Sequence, residues 1–456
     1  MADITSNKNR KILIISYWYP PLRAISSLRI GKFAKYLSDF GWEPIVITVK
    51  PINVRFTRID RLPDERRWGR VYRTRDLSFL GISYTIASRL RFFKNTTNQG
   101  TKNVLGSVRS TVNFKKSLFN AVLWAYKQFI CFPDEVILWL LEYPKIEHIV
   151  RKERPDVIFS SSLPNTCHII ASRLSKKLHI PWVADFRDLW TQNHVFRRAF
   201  PLRSIEVWLE RRTLKPATAL ITVSAPLKAQ LKELHHKPVY AITNGYDPDD
   251  FPKKVASSTP HGPLIIIYTG TIYYKKQDPG PLFAALQDLL TSGEVKPEDV
   301  RVDFYGQQLD IVWEIVKVYK EVRPMVHVKG EVTYQQALQL QSSADVLLLL
   351  EWTDPHAQGV YTGKVFEYLG ANRPILSIGP PGGVIEKLLE KTRAGIHLQS
   401  AEEIRPWIQR WLEEKRQLGK PSFGERPRQA IQQFTRREQT KKLAEILNNV
   451  RKKSSA

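Results

Sequence analysis

Sulfur is scarce in this chain: there are two cysteines and two methionines among 456 residues. Cys131 and Cys167 stand alone, without metal-ligand or redox spacing, which argues against a disulfide framework or a thiolate metal centre and predicts two reduced thiols. Long apolar runs are missing too; with no stretch of about 18 uncharged apolar residues, no membrane-spanning helix is expected. Met1 to Arg10 is polar and charged and runs straight into a strand pattern, so no secretory signal is expected and a cytoplasmic protein is. The ten histidines show no ligand spacing along a helix, and His235 and His236, being adjacent, point apart. Neither a metal nor a cofactor is expected.

The chain is also short of acid. Its formal charge is +26, and from Leu77 to Pro133 there is no Asp or Glu at all. In that segment Arg89, Arg91, Lys94, Lys115, Lys116 and Lys127 are interleaved with Phe92, Phe93, Phe114, Phe119 and Trp124. Basic side chains beside large apolar ones suit an anionic membrane surface, with lysines on headgroups and rings in the interface. No helix-turn-helix, zinc-finger or RNP-type signature accompanies the charge, so nucleic acid is not the expected partner. A plainly solvated basic face is the alternative.

What is present is an alternation of strand and helix patterns. The run from Lys11 to Ser16, a helix marked by Leu28, Phe33, Leu37 and Phe40, and a strand from Pro44 to Thr48 open the chain as a βαβ unit. Strands at 156–159, 182–184, 219–223 and 239–243 then alternate with helices at 166–178, 204–214 and 226–234. A Pro-, Lys-, Ser- and Asp-rich stretch, 247–262, reads as a linker. The grammar repeats with strands at 264–269, 302–305, 326–328, 346–350 and 375–378 and helices at 282–290, 311–322, 334–342 and 384–390. The expected fold is therefore α/β, with two doubly wound Rossmann-like domains, 1–246 and 263–424, facing across a cleft where ligands bind. The amphipathic segment Arg428 to Val450, within 425–456, is long enough to cross back onto the first domain, and the tail Lys452 to Ala456 is expected to be disordered.

The most informative stretch is Thr362 to Leu369. A small turn, Thr362-Gly363-Lys364, opens a short amphipathic helix that carries Glu367 one turn further on. Backbone N–H groups at a helix start and a lysine meet phosphates, and a carboxylate three residues on accepts both hydroxyls of a ribose. A triphosphatase loop is excluded, because Gly359 and Gly363 are separated by three residues and Val365 stands where a magnesium-binding Ser or Thr is needed. Asp247-Pro248-Asp249-Asp250 mimics a metal-holding Asp-x-Asp pattern, but after Asn244-Gly245 it reads as a turn.

In their order and spacing, Tyr17 to Pro21, Pro181 to Trp190, Ile221 to Ser224, Ile242 to Asp247, Tyr268 to Thr271 and Lys364 to Leu369 make the chain resemble the retaining GT-B glycosyltransferases of family 4. The resemblance implies transfer of a sugar from a nucleotide-sugar donor, bound mostly by the second domain, to an acceptor bound mostly by the first. Glu367 matches the second glutamate of the family's Glu-x7-Glu element, and Lys276 falls at a diphosphate-binding lysine. Two positions depart from the pattern: Gly359 replaces the first glutamate, and Thr271 replaces the arginine that usually follows Gly270. Lys364 supplies a compensating cation, so Lys276 and Lys364 are expected to hold the diphosphate, near the N–H groups of Thr271, Gly363 and Lys364.

On the first domain, Asp185 directly follows a strand and is expected to reach the cleft and orient or deprotonate the acceptor, with Arg187 binding phosphate and Asp188 holding Arg187. The loop from Tyr17 to Arg29 lacks the glycine pair of relatives, so Arg23 or Arg29 takes over phosphate contacts by side chain. Ser161, Ser162 and Asn165 follow the next strand and are candidate acceptor contacts. The function expected is a metal-independent, retaining glycosyltransferase of surface polysaccharide or glycolipid assembly. It would act peripherally at the inner face of the cell membrane on a glycan or lipid-linked acceptor. A nucleotide-sugar epimerase or hydrolase of the same fold, or a non-catalytic assembly scaffold, are the alternatives.

Overall fold

The computed structural model describes residues 10–22, 25–50, 68–77, 132–193, 198–254, 261–354, 359–422 and 424–455. Arg23, Cys131 and nearly all of the acid-free segment 77–133 lie outside them. The chain divides into two compact units: Met1–Thr222 with Lys228–Ala241 and Leu443–Ala456, and Val223–Leu227 with Ile242–Lys442.

The first unit holds seven parallel strands, β1 (Arg10–Ile15), β2 (Trp42–Val49), β3 (Arg70–Thr74), β4 (Val157–Ser162), β5 (Trp182–Phe186), β6 (Ala219–Thr222) and β7 (Val239–Ala241), in the order β3-β2-β1-β4-β5-β6-β7. Strands covered by helices on both faces need apolar residues throughout, and Ile12 to Ile15 are fully buried. Chain order reverses between β1 and β4, the switch point at which such sheets open a crevice. Two strands run further than their apolar residues alone predict. β4 continues through Ser161 and Ser162, and β5 through Asp185 and Phe186, with Ser161 paired to Asp185 and Asp185 to Ile221.

The second unit holds six parallel strands, β8 (Leu264–Thr269), β9 (Val300–Tyr305), β10 (Val326–Gly330), β11 (Val346–Leu350), β12 (Ile375–Ile378) and β13 (Gly395–Leu398), in the order β10-β9-β8-β11-β12-β13. Its core is sorted by the two-residue period of the strands. Leu264, Ile266, Tyr268, Leu348 and Leu350 pack on one face with Ile404 and Trp411 of the helix Ala401–Leu418. Ile267, Leu347 and Leu349 pack on the other with Val365, Phe366 and Leu369 of the helix Gly363–Ala371. That helix starts at the expected glycine and ends at Asn372, whose φ of 57° gives a left-handed cap.

Three expectations are corrected here. The helix expected over 311–322 stops at Val316, and the chain then forms a 3-10 helix, Lys320–Met325, in which Pro324 rules out α-helical bonding to the Lys320 carbonyl. The segment from Arg428 is two helices, Arg428–Gln432 and Arg436–Ser455. Between them the chain peels away to pair with Tyr246, whose N–H donates to the Phe434 carbonyl at 3.1 Å and whose carbonyl accepts from Arg436 N at 2.7 Å. Of the tail, Lys452 to Ser455 continue the last helix instead of being disordered.

Candidate active site

In the second unit the site lies where β8 and β11 adjoin, at their carboxyl ends. β8 ends in Thr269 and Gly270, and Gly270 adopts a φ of +130°. Lys364, from the helix on the opposite face of the sheet to Tyr268, reaches across this strand end and donates its Nζ to the Tyr268 hydroxyl at 2.6 Å. Only glycine allows the crossing: a Cβ on Gly270 would stand 2.2 Å from Lys364 Cε. Tyr268 is itself fixed by donating to the Thr271 carbonyl at 2.7 Å. Burial pushes the Lys364 ammonium down to about 8, against the pull of the nearby Glu367 carboxylate.

Glu367 is half-exposed yet deeply set, and loss of solvent raises its pKa; the hydrogen bond from Gln341, then the charges of Arg436 and Lys364, act the other way. The Gln341 amide donates to Glu367 Oε2 at 3.3 Å and to Thr269 Oγ1 at 2.9 Å, which locks the carboxylate to the end of β8. Thr362, the residue before the helix, makes no capping bond through its side chain, so it leaves the first N–H groups of the helix uncovered. Lys276 is not simply solvated: its ammonium lies 4.2 Å from the centroid of the Trp352 ring, and its carbonyl accepts from Thr353 N at 2.9 Å. These contacts tie the loop after β8 to the loop after β11. Asp247 caps a short turn, Pro248–Asp250, by accepting from Asp249 N at 3.1 Å.

Gly359, where the resemblance would place a glutamate, is held by its backbone. Ser224, which groups with this unit, donates to the Gly359 carbonyl at 2.6 Å, and a Cβ at 359 would come 3.1 Å from Pro226 Cβ. Any side chain there must displace Pro226 slightly.

In the first unit, Asp185 and Arg29 differ from expectation. Because β5 runs on through Phe186, Asp185 sits inside the sheet and not beyond it; both it and Arg29 are fully buried. Arg29 closes on the carboxylate with Nη2 at 2.8 Å and Nε at 3.2 Å, and Ser161 adds a third donor at 2.8 Å. Neither side chain presents a surface to a ligand. Ser162 is equally buried, within β4. Arg187 is half-exposed and donates to the carbonyls of Ser162 at 2.6 Å and Leu163 at 2.7 Å, while Asp188 acts on it through charge. Asn165 precedes the helix Thr166–Leu178 and is 4% exposed; its Oδ1 has no hydrogen-bond partner among the described residues. The N–H of Thr166, at the start of that helix, is taken by Asp134 at 2.7 Å.

Residue patterns did not single out Gln341, Tyr268's hydroxyl or Trp352. Each acts across 76 or more residues or 26 residues of sequence, as with Trp352 on Lys276 and Gln341 on Glu367. The local signal is Gly270, where both the positive φ and the crossing side chain require glycine.

Residues 110–250, which include β4 to β7, match the family model described as Glycosyltransferase Family 4. No curated protein matches the chain in sequence. A glycosyltransferase from Rickettsia africae ESF-5 is 15% identical, covering 97% of this chain and 98% of its own, with a TM-score of 0.54. The Anabaena protein HepE, crystallised with UDP and glucose, is 13% identical over 96% of this chain and 100% of its own, with a TM-score of 0.61. At similar identity, 13%, the N-terminal domain of a Candida albicans trehalose-6-phosphate phosphatase covers 96% of this chain and 99% of its own, with a TM-score of 0.53. The two parallel-sheet units are those of the GT-B fold.

Proposed function

From a GT-B fold whose residues 110–250 match glycosyltransferase family 4, we propose that the protein transfers a sugar from a nucleoside-diphosphate donor to an acceptor hydroxyl. One observation carries the reading: at the switch point of the second sheet, Lys364 crosses Gly270, and Glu367 stands one helical turn on, held by Gln341. Glu367 accepts the ribose hydroxyls. Lys364, Lys276 and the uncapped helix start meet the diphosphate, whose negative charge grows as its bond to the sugar C1 breaks. The acceptor oxygen bonds to C1 as the bond from C1 to the diphosphate breaks, and the hydroxyl proton passes to the departing diphosphate. UDP in the Anabaena relative of the same fold makes UDP-sugars the first donors to try.

Arg187 and Asn165 are the side chains of the first unit suited to acceptor or phosphate contacts. Arg29 and Asp185 act behind them as positioning residues. The family resemblance extends the proposal to retention of configuration, independence of metal, and a glycan or lipid-linked acceptor in polysaccharide or glycolipid assembly at the membrane. No helix among the described residues is long and apolar enough to cross a membrane.

The test is turnover of UDP-sugars with lipid and glycan acceptors, comparing wild type with Lys364→Ala. A fall of about a hundredfold or more is expected from removing a cation at the leaving group. Near wild-type turnover in the variant would remove Lys364 from the site. An epimer or free sugar formed from donor alone, without acceptor, would replace transfer by epimerisation or hydrolysis. Failure to bind any nucleoside diphosphate by calorimetry would leave a scaffold.

A further inference from the structure

The helix Leu202–Leu214 of the first unit is sorted by charge. Both of its acids turn inward. Glu206 accepts from Arg198 Nε and from Trp190 Nε1, each at 3.2 Å, and Glu210 accepts from Thr191 N and His235 Nε2, each at 3.1 Å. Outward, the helix and its flanks show Arg203, Arg211, Arg212 and Lys215, with no exposed acid among them. On the same stretch Phe200 is 86%, Ile205 47% and Trp208 57% exposed. Water alone does not account for three large apolar side chains exposed within nine residues. The Arg212 guanidinium lies 5.3 Å from the Trp208 ring centroid, beside a groove of about 690 Å³. Lys237 of this groove caps the carbonyls of Lys215 and Ala217, leaving Arg211, Arg212 and Lys215 to face an anion.

A second observation points the same way. Arg198, just ahead of this helix, donates to the Pro133 carbonyl at 3.0 Å and lies 5.1 Å from the Phe132 ring centroid. The described end of the acid-free stretch, Phe132 and Pro133, therefore packs on the buried Arg198 that pairs with Glu206 of this helix. Apolar side chains and cations share this one exposed stretch, Arg203 between Phe200 and Ile205 and Arg212 beside Trp208. Such a face suits the boundary of a lipid layer, where apolar side chains sink and cations hold phosphates at its surface.

We propose that this face docks the protein on an anionic lipid surface, with Phe200, Ile205 and Trp208 entering the interface and Arg211, Arg212 and Lys215 meeting phosphate headgroups. It gives the membrane association of the proposed function a definite surface, and it is testable apart from donor binding. The experiment is sedimentation of the full chain with vesicles of phosphatidylcholine alone or with roughly a third phosphatidylglycerol, at low and high salt. The wild type should bind the anionic vesicles and release with salt. Phe200→Ser with Trp208→Ser, and separately Arg211→Glu with Arg212→Glu, should each weaken binding about tenfold or more. Unchanged unfolding temperature and UDP affinity in at least one pair separate a lost surface from a lost fold or a lost donor site. Equal binding by both variant pairs, indifference of the wild type to lipid charge, or preference for a single-stranded oligonucleotide over vesicles would overturn the proposal.

Discussion

Lys364 unites the chemistry and the cost of the site in one residue. Its ordinary pKa of 10.5 falls to about 8 on burial, so between those values the unfolded chain binds the proton and the folded chain does not. Stability should therefore rise with pH across that window, and Lys364→Met should abolish the rise and stabilise the protein at pH 7, read from urea melts at several pH values. Nucleotide affinity should move the opposite way, because a diphosphate needs the ammonium. Titration calorimetry should find UDP binding weakening above about pH 8; a flat profile would mean the lysine does not meet the phosphates. Gly270→Ala should mimic the loss of Lys364, since its Cβ would collide with Cε, and the positive φ should cost about 1–3 kcal/mol besides. Arg29→Met strands a buried carboxylate and should cost about 3–5 kcal/mol, whereas replacing Arg29 and Asp185 together by apolar residues should cost much less. A folded, fully stable Arg29→Met would refute the structural role of that pair.

Elements near the site are set by local rules, and most are written plainly in the sequence. β8, β11 and β12 fall where apolar runs bounded by breakers put them, and the Gly363 helix starts at its small turn. Less legible are strands that continue on polar residues. Ser161 and Asp185 give no β signal of their own, and β-pairing and Arg29 decide their fate. β13 is not legible because four half-buried residues carry no clear alternation, and Ala401–Leu418 lies outside the expected helices although Ser400 and Glu403 form a readable capping box. The helix Tyr334–Ser343, which delivers Gln341, opens with the same device: Thr333 and Gln336 cap each other reciprocally. Thr333→Ala should destabilise the protein by about 1 kcal/mol. If the cap also sets the angle of Gln341, UDP affinity should fall with it; unchanged stability in thermal melts would discount the cap.

At the scale of the whole molecule, the second unit is nearly one continuous stretch, Ile242–Lys442, with its own sheet and apolar layers on both faces. A fragment with those ends should unfold cooperatively and keep UDP binding, as judged by circular dichroism and calorimetry. Absence of a cooperative transition would tie its stability to the remainder of the chain. The chain carries 70 lysines and arginines, most of which stay protonated and inert at neutral pH. Lys364 is different, because an amine whose pKa is about 8 is a nucleophile in a measurable fraction of molecules at pH 7.5. Mild acylating reagents should thus mark it ahead of ordinary surface lysines, and a bound diphosphate should shield it. The reach of one side chain over one glycine thereby offers a chemical footprint of donor occupancy, readable by mass spectrometry before any acceptor is known.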